Sequence, residues 1–246
     1  MGLLVSGLFL AQTVGAATLQ VVNDSGRSAD EVYLLLSGQD LSATATQWHA
    51  LKTPLHLVDL DGTPPATTCA QPLSSWPKQG TTTSPRTSRT LDVYEVPIAD
   101  KITSGRLWVA YGPANAVTGG KCEGFLQFSG SAAPKNTASY RYDKMEMTYD
   151  GSQWYANLTS LDFLAIPMQL ETVDGSGTVT DQRSFQTSLT SLRQRVTDLF
   201  GSAAITGAGS DFLRIYGPGT LTTDVNADTG SPAPYPSFAT YLASLV

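Results

Sequence analysis

The sequence predicts a β-rich α+β protein, and three observations carry that reading. Short apolar and β-branched runs, bounded by Gly, Pro, Asn and Asp, recur from residue 18 to about residue 171. Helical spacing appears late, with Phe185, Leu189, Leu192, Val196 and Leu199 three or four positions apart. Only 15% of the 246 residues are charged while 41% are hydrophobic. That balance, with abundant Thr, Ser, Gly and Pro, suits many short strands and turns and is too apolar for a disordered chain.

The elements follow in order. Residues 1–16 hold an apolar stretch that ends in the small residues Val14 and Ala16. This is the length and ending of a secretory signal, although no basic residue precedes it. The alternative is that Leu3 to Leu10 form a first buried strand. Thr18–Val22 and Glu31–Gly38 read as strands, with a turn at Asn23 to Gly26. Residues 59–91, rich in Pro, Thr and Ser, read as a long surface excursion. Leu91–Pro97, Gly105–Gly112 and Phe125–Phe128 read as strands. Tyr140–Tyr149 and Leu158–Glu171 are expected to pair across a connection that begins with the turn Asp150–Ser152. The helix runs from about Asp181 to Phe200, capped by Thr180 or Asp181, and a strand follows at Phe212–Tyr216. Pro236–Val246, with Phe238, Tyr241, Leu242 and Leu245 on one stripe, reads as a second helix. A β-rich first part, residues 17–171, thus gives way to a mixed α/β part at 172–246.

Charge and motif content exclude several classes. The net charge is −6, with a sequence pI of about 4.8 and scattered Lys and Arg. Nucleic-acid binding is driven by phosphate neutralisation, so neither a nucleic acid nor an anionic membrane surface is expected as partner. Beyond the leader, no apolar run approaches the ~20 residues of a membrane span. There are two histidines, His49 and His56, and no Gly-x-Ser-x-Gly elbow. Gly207 to Gly209 lacks the strand-to-helix context of a phosphate cradle. Asp224 to Gly230 departs from a calcium loop, with Tyr235 where the bidentate Glu belongs, and reads as a polar turn. No metal site is expected. Cys69 and Cys122, an even pair in Gly/Pro/Ser/Thr-rich surroundings, are either bonded in an exported protein or two separate thiols.

Two carboxylates stand out. Alternation through Tyr142–Tyr149 places Met145, Met147 and Tyr149 on one face and Lys144, Glu146 and Thr148 on the other. The apolar face belongs in a core, so Glu146 projects from the open one. Sixteen positions on, Asp162 is the lone acid in an otherwise nearly apolar run, Leu161–Met168. An acid there needs a partner or a cleft. If the two strands are neighbours, the acids flank one groove, which is the requirement of glycoside hydrolysis. The pattern alone favours an exposed Glu on a sheet face and an Asp capping a neighbouring turn over a catalytic pair.

Four segments, Val22–Ser28, Ser104–Tyr111, Tyr142–Tyr149 and Asn157–Met168, resemble glycoside hydrolase family 64. The last two, in tandem at this spacing, are the more specific. The resemblance runs from about residue 18 to the end of the chain and is weakest over 59–91. It implies a thaumatin-like β-barrel or sandwich lobe and a mixed α/β lobe that together form a cleft. It also implies an inverting endo-β-1,3-glucanase, with Glu146 as general acid and Asp162 as general base. By position it offers Thr148, Trp154 or Tyr155, and Thr159 as glucose-binding residues. Asp150 stands where a neutral amide is more usual. Family members continue past the helix that Pro236–Val246 resembles, so the resemblance implies a chain lacking the closing strands of the barrel lobe.

The expectation is therefore a secreted, monomeric enzyme acting on laminarin-like or fungal-wall β-1,3-glucan without cofactor. The rivals are a non-catalytic thaumatin-like glucan-binding or wall-interaction protein and a protein-binding β-domain.

Overall fold

The computed structural model describes residues 8–13, 16–42, 48–51, 57–59, 68–84, 87–98, 101–118, 121–122, 127–128, 140–158, 163–174, 176, 178–185, 187–202, 205–206 and 213–217. In chain order the first strands are β1 (Leu8–Thr13), β2 (Ala16–Val22), β3 (Val32–Asp40), β4 (Trp48–Leu51) and β5 (Leu57–Asp59). Then come β6 (Thr68–Cys69), β7 (Gln71–Pro72), β8 (Lys78–Thr83), β9 (Thr90–Ile98), β10 (Ile102–Tyr111) and β11 (Gln127–Phe128). The site-bearing part holds β12 (Arg141–Tyr149), β13 (Trp154–Asn157), β14 (Phe163–Leu164), β15 (Gln169–Val173) and β16 (Val179–Ser184). Helix α1 (Leu189–Phe200), β17 (Ile205–Thr206) and β18 (Arg214–Tyr216) complete the described elements.

The central sheet runs β13-β12-β10-β3-β4-β5, with β7 also on β3, and a second sheet runs β1-β2-β9-β8. All these pairings are antiparallel. The continuous apolar run Val32–Leu36 explains why β3 sits in the middle, since it is buried on both faces. Leu107–Tyr111 of β10 is likewise buried throughout, and Leu19, Val96 and Ile98 join the same core from the second sheet. A smaller core forms where α1 lays Leu189, Leu192 and Val196 against Leu164 and Ile215 of the β14-β18-β17 sheet.

Several expectations change. Leu8–Thr13, which overlaps the end of the expected leader, forms a strand on β2. The 59–91 stretch is not merely a surface excursion. Its described part carries β6, β7, β8 and a short 3-10 turn at Leu73–Ser75, anchored by buried Cys69, Ala70, Leu73 and Trp76. Leu158–Glu171 is not one strand on β12: it divides, β14 pairing with β18 and β15 with β16. Pro167, unable to donate to a ladder, stands between the two halves. Residue 172 consequently lies inside β15. The helix starts eight positions later than expected because 179–184 pairs with β15. Ser188 is its cap, its hydroxyl oxygen accepting from the Ser191 N–H at 3.1 Å. Phe185 precedes α1 yet packs on the same small core. Residue 212 and the helix expected at 236–246 lie outside the described residues, as do His56, residues 207–209 and the 224–230 loop.

Candidate active site

The site is built on the β12–β13 hairpin. Its register sets Glu146 opposite Asn157, Thr148 opposite Tyr155, and Tyr149 opposite Trp154. Residues directly opposite in an antiparallel pair share a face. Glu146, Thr148, Tyr155 and Asn157 therefore lie together, while Met145, Met147 and Tyr149 are buried on the other side as alternation required. The two aromatics offered for sugar binding part company here. Tyr155 is 57% exposed, and its hydroxyl donates to Gln153 Oε1 at 2.8 Å. Trp154 instead stacks on Tyr149 with centroids 4.8 Å apart and packs against the main core.

The hairpin turn explains Asp150. One oxygen of its side chain accepts from the Ser152 N–H, the Ser152 hydroxyl and the Gln153 N–H, each at 2.8 Å. Those bonds, the one from Gln153 foremost, hold its carboxyl below the usual carboxylate range. The residue is committed to the turn.

A groove of about 410 Å³ opens beside Glu146, lined also by Arg106, Thr148, Tyr155 and Asn157 and by the bend at Thr103–Gly105. The bend is a β-bulge, since the pairings of β10 with both neighbours shift register there. Ser104 takes a left-handed φ of 51°. A Cβ on Gly105 would come within 2.8 Å of the Met147 carbonyl oxygen, so only glycine lets β10 lie this close to β12. Past the bulge, Arg106 stands opposite Glu146. Arg106 Nε is 3.8 Å and Lys144 Nζ 3.6 Å from Glu146 Oε1. The guanidinium also lies over the Trp48 ring, 5.5 Å from its centroid. Two cations thus stand beside one half-exposed carboxyl at the edge of the groove, one of them over an indole.

Asp162 and Thr159 lie outside the described residues. The chain immediately after Asp162 is described. Phe163 packs on Tyr142, which belongs to the Glu146 face of β12, and Arg214 lies over both rings. The next residues are bound to β12 from its other face. Asp143 Oδ2 accepts from the Ala165 and Ile166 N–H groups at 2.8 and 2.9 Å, Asp143 Oδ1 accepts from the Lys144 N–H at 2.8 Å, and Arg141 Nε donates to the Ala165 carbonyl at 2.8 Å. Burial pushes the Asp143 carboxyl up to about 7, against the opposing pull of those three backbone donors.

Arg106, Asn157, Lys144 and Asp143 were not singled out from sequence. Alternation already set Lys144 on the face of Glu146, whereas Arg106 and Asn157 needed the register. His49 sits in β4, and among the described residues no His, Cys, Asp and Glu side chains gather in a metal-binding group. Cys69 and Cys122 are joined in a disulfide.

A family model described as Beta-1,3-glucanase, glycoside hydrolase family 64, matches residues 15–246. Among solved structures, the chain is similar to a β-1,3-glucanase domain of that family from Clostridium beijerinckii, at 17% identity and a TM-score of 0.52. That match covers 99% of this chain and 60% of that one. It is also similar to the laminaripentaose-producing β-1,3-glucanase of Paenibacillus barengoltzii complexed with laminarihexaose, at 16% identity and a TM-score of 0.53, covering 95% of this chain and 52% of that one. The chain thus spans little more than half the length of the solved relatives it matches. No curated protein matches it. With a family match that takes in all but the first fourteen residues, this chain belongs to glycoside hydrolase family 64, the β-1,3-glucanases.

Proposed function

We propose that the chain acts as an endo-β-1,3-glucanase on laminarin-like or fungal-wall glucan, with Glu146 as general acid and Asp162 as general base. The observation that carries this is the shared open face of the hairpin. It presents a carboxyl, a hydroxyl at Thr148, an amide at Asn157 and an exposed phenol ring at Tyr155 along one groove. That set matches a pyranose chain, whose apolar ring faces lie on an aromatic while its hydroxyls exchange hydrogen bonds with side chains. Thr159 is the further sugar contact in this reading.

Glu146 delivers its proton to the glycosidic oxygen as the bond to the anomeric carbon breaks. Asp162 takes a proton from a water that attacks that carbon from the opposite side, so the β-linkage yields an α-product. The two carboxyls stand ~6.5–9.5 Å apart in such a mechanism, leaving room for the water. The contact of Phe163 with Tyr142 supports this: it brings the chain next to Asp162 onto the Glu146 face. Proton transfer by two carboxyls needs no cofactor. The thaumatin-like barrel lobe, the mixed α/β lobe and the cleft between them belong to the same reading, as do a monomeric state and export. The Cys69–Cys122 disulfide suits an oxidising compartment.

Incubation with laminarin, followed by proton NMR of the first products, tests the reading. The α-anomer at early times is expected. The β-anomer contradicts the inverting assignment, and binding without release of reducing ends supports a glucan-binding protein instead.

A further inference from the structure

We infer that Arg106 is a substrate-binding residue of this groove, its guanidinium donating to hydroxyl oxygens of the glucosyl unit that lies against Glu146; the inference rests on the glucanase reading above. The pairing register sets Arg106, Glu146 and Asn157 in one row across β10, β12 and β13, and all three line the same groove. The row exists because of the bulge. Ile102 stands opposite Tyr149, so an unbroken β10 would bring Arg106 opposite Met145, on the core face. One extra residue between Ile102 and Gly105 turns Arg106 to the open face instead, at the cost of the left-handed backbone of Ser104.

Cohesion does not explain this cation. Its Nε is buried and meets no hydrogen-bond acceptor. At 3.8 Å, Glu146 Oε1 is within ion-pair range but too far for a hydrogen bond. A partly exposed pair at that distance contributes little to stability, and Lys144 already stands nearer to the same oxygen, at 3.6 Å. What the guanidinium has is a platform, the Trp48 ring 5.5 Å away, over which a planar cation stacks. A side chain seated on an indole, still 29% exposed at the groove, keeps donors for acceptors that arrive with a ligand. Pyranose hydroxyls are such acceptors, and a bond from a charged donor is roughly twice as strong as one from a neutral donor. Thr148 and Asn157 offer only neutral groups on this face, so Arg106 supplies the strongest donor beside Glu146 after the more deeply buried Lys144.

The test compares the affinity of Glu146→Gln and of Glu146→Gln/Arg106→Gln for laminarihexaose by calorimetry, and follows KM for the same sugar in Arg106→Gln alone. With the carboxyl replaced by an amide, any role that Arg106 exerts through the charge of Glu146 is gone, and contact with the sugar is what remains. Loss of a charged donor to a hydroxyl is expected to raise Kd about 10- to 100-fold in the double variant, and KM in Arg106→Gln by a similar factor, with melting temperatures little moved. Equal Kd values in the two proteins overturn the inference, as does an unchanged KM, while the glucanase reading stands. A natural chain that neither binds nor hydrolyses the sugar contradicts the glucanase reading, and the inference falls with it. Should Arg106→Gln not fold, Arg106→Lys takes its place in the same comparison. Lysine keeps the charge but lacks the planar fork, so weaker binding is again expected and equal Kd values again overturn the inference.

Discussion

Phe163 packs edge-on against Tyr142, with ring centroids 5.0 Å apart and planes at 66°. Tyr142 stands four residues before Glu146 on the same face of β12, and Phe163 directly follows Asp162. One aromatic contact thus links the neighbourhoods of both proposed catalytic acids. Removing the ring loses buried area, the edge-to-face contact and the Arg214 guanidinium that lies 5.7 Å from it. Phe163→Ala is expected to cost about 3–5 kcal/mol in urea unfolding. A loss under ~1 kcal/mol would show that this contact does not hold the segment.

Tyr155 and Trp154 are adjacent in sequence and point to opposite faces. Tyr155→Ala removes an exposed ring from the groove, so KM for laminarin oligosaccharides should rise about tenfold, ~1.4 kcal/mol, with the melting temperature little moved. Trp154→Ala should do the reverse, lowering the melting temperature by several degrees, because its ring stacks on Tyr149 and packs on the core. Kinetics and thermal melts on the two variants separate these outcomes.

The disulfide between Cys69 and Cys122 closes a separation of 53 residues. On the chain-entropy account a loop of that size is worth about 4 kcal/mol. The double variant Cys69→Ser/Cys122→Ser is expected to lose a large part of that in urea unfolding, and added reductant should then have no further effect on it. Stability equal to that of the natural chain would mean that the bond constrains little.

Much of this was legible in the sequence, and the limits have physical causes. Alternation along Tyr142–Tyr149 put Met145, Met147 and Tyr149 in the core and left Glu146 outside it, but Tyr142 and Lys144 on the Glu146 face are buried too, and Asp143 sits on the apolar one. The same reasoning failed for 158–171, where a continuous apolar run carries no period and cannot show that β14 and β15 go to different sheets. The helix start was misplaced because Phe185 keeps the helical spacing while lying outside the helix, packed on the same small core. Arg106 was invisible as a site residue, since a bulge at Ser104–Gly105 aligns it with Glu146 and bulges leave little periodic trace. No periodicity marks Asp143, whose bonds span 22 and 23 positions.

Asp143 also makes a pH prediction. Its carboxyl is raised in the folded protein, chiefly by burial, to about 7. A group raised on folding contributes stability that is fully present below its unfolded value and is lost as pH climbs through the folded one. The natural chain should therefore lose stability relative to Asp143→Asn between about pH 4 and 7, by an amount on the order of a few kcal/mol, and be flat above that window. Denaturant titrations of both proteins at several pH values measure it. A difference that does not change with pH would show that the group keeps its ordinary carboxylate range.

The central claim is that Glu146 supplies the proton to the leaving sugar. Glu146→Gln keeps the size of the side chain and its place beside Arg106 and Lys144, but it cannot donate that proton. Initial rates of reducing-end release from laminarin by this variant, alongside its binding of the same glucan, test the claim most directly. Turnover is expected to fall by about 10²–10⁴-fold with binding retained. Hydrolysis at the rate of the natural chain would contradict it.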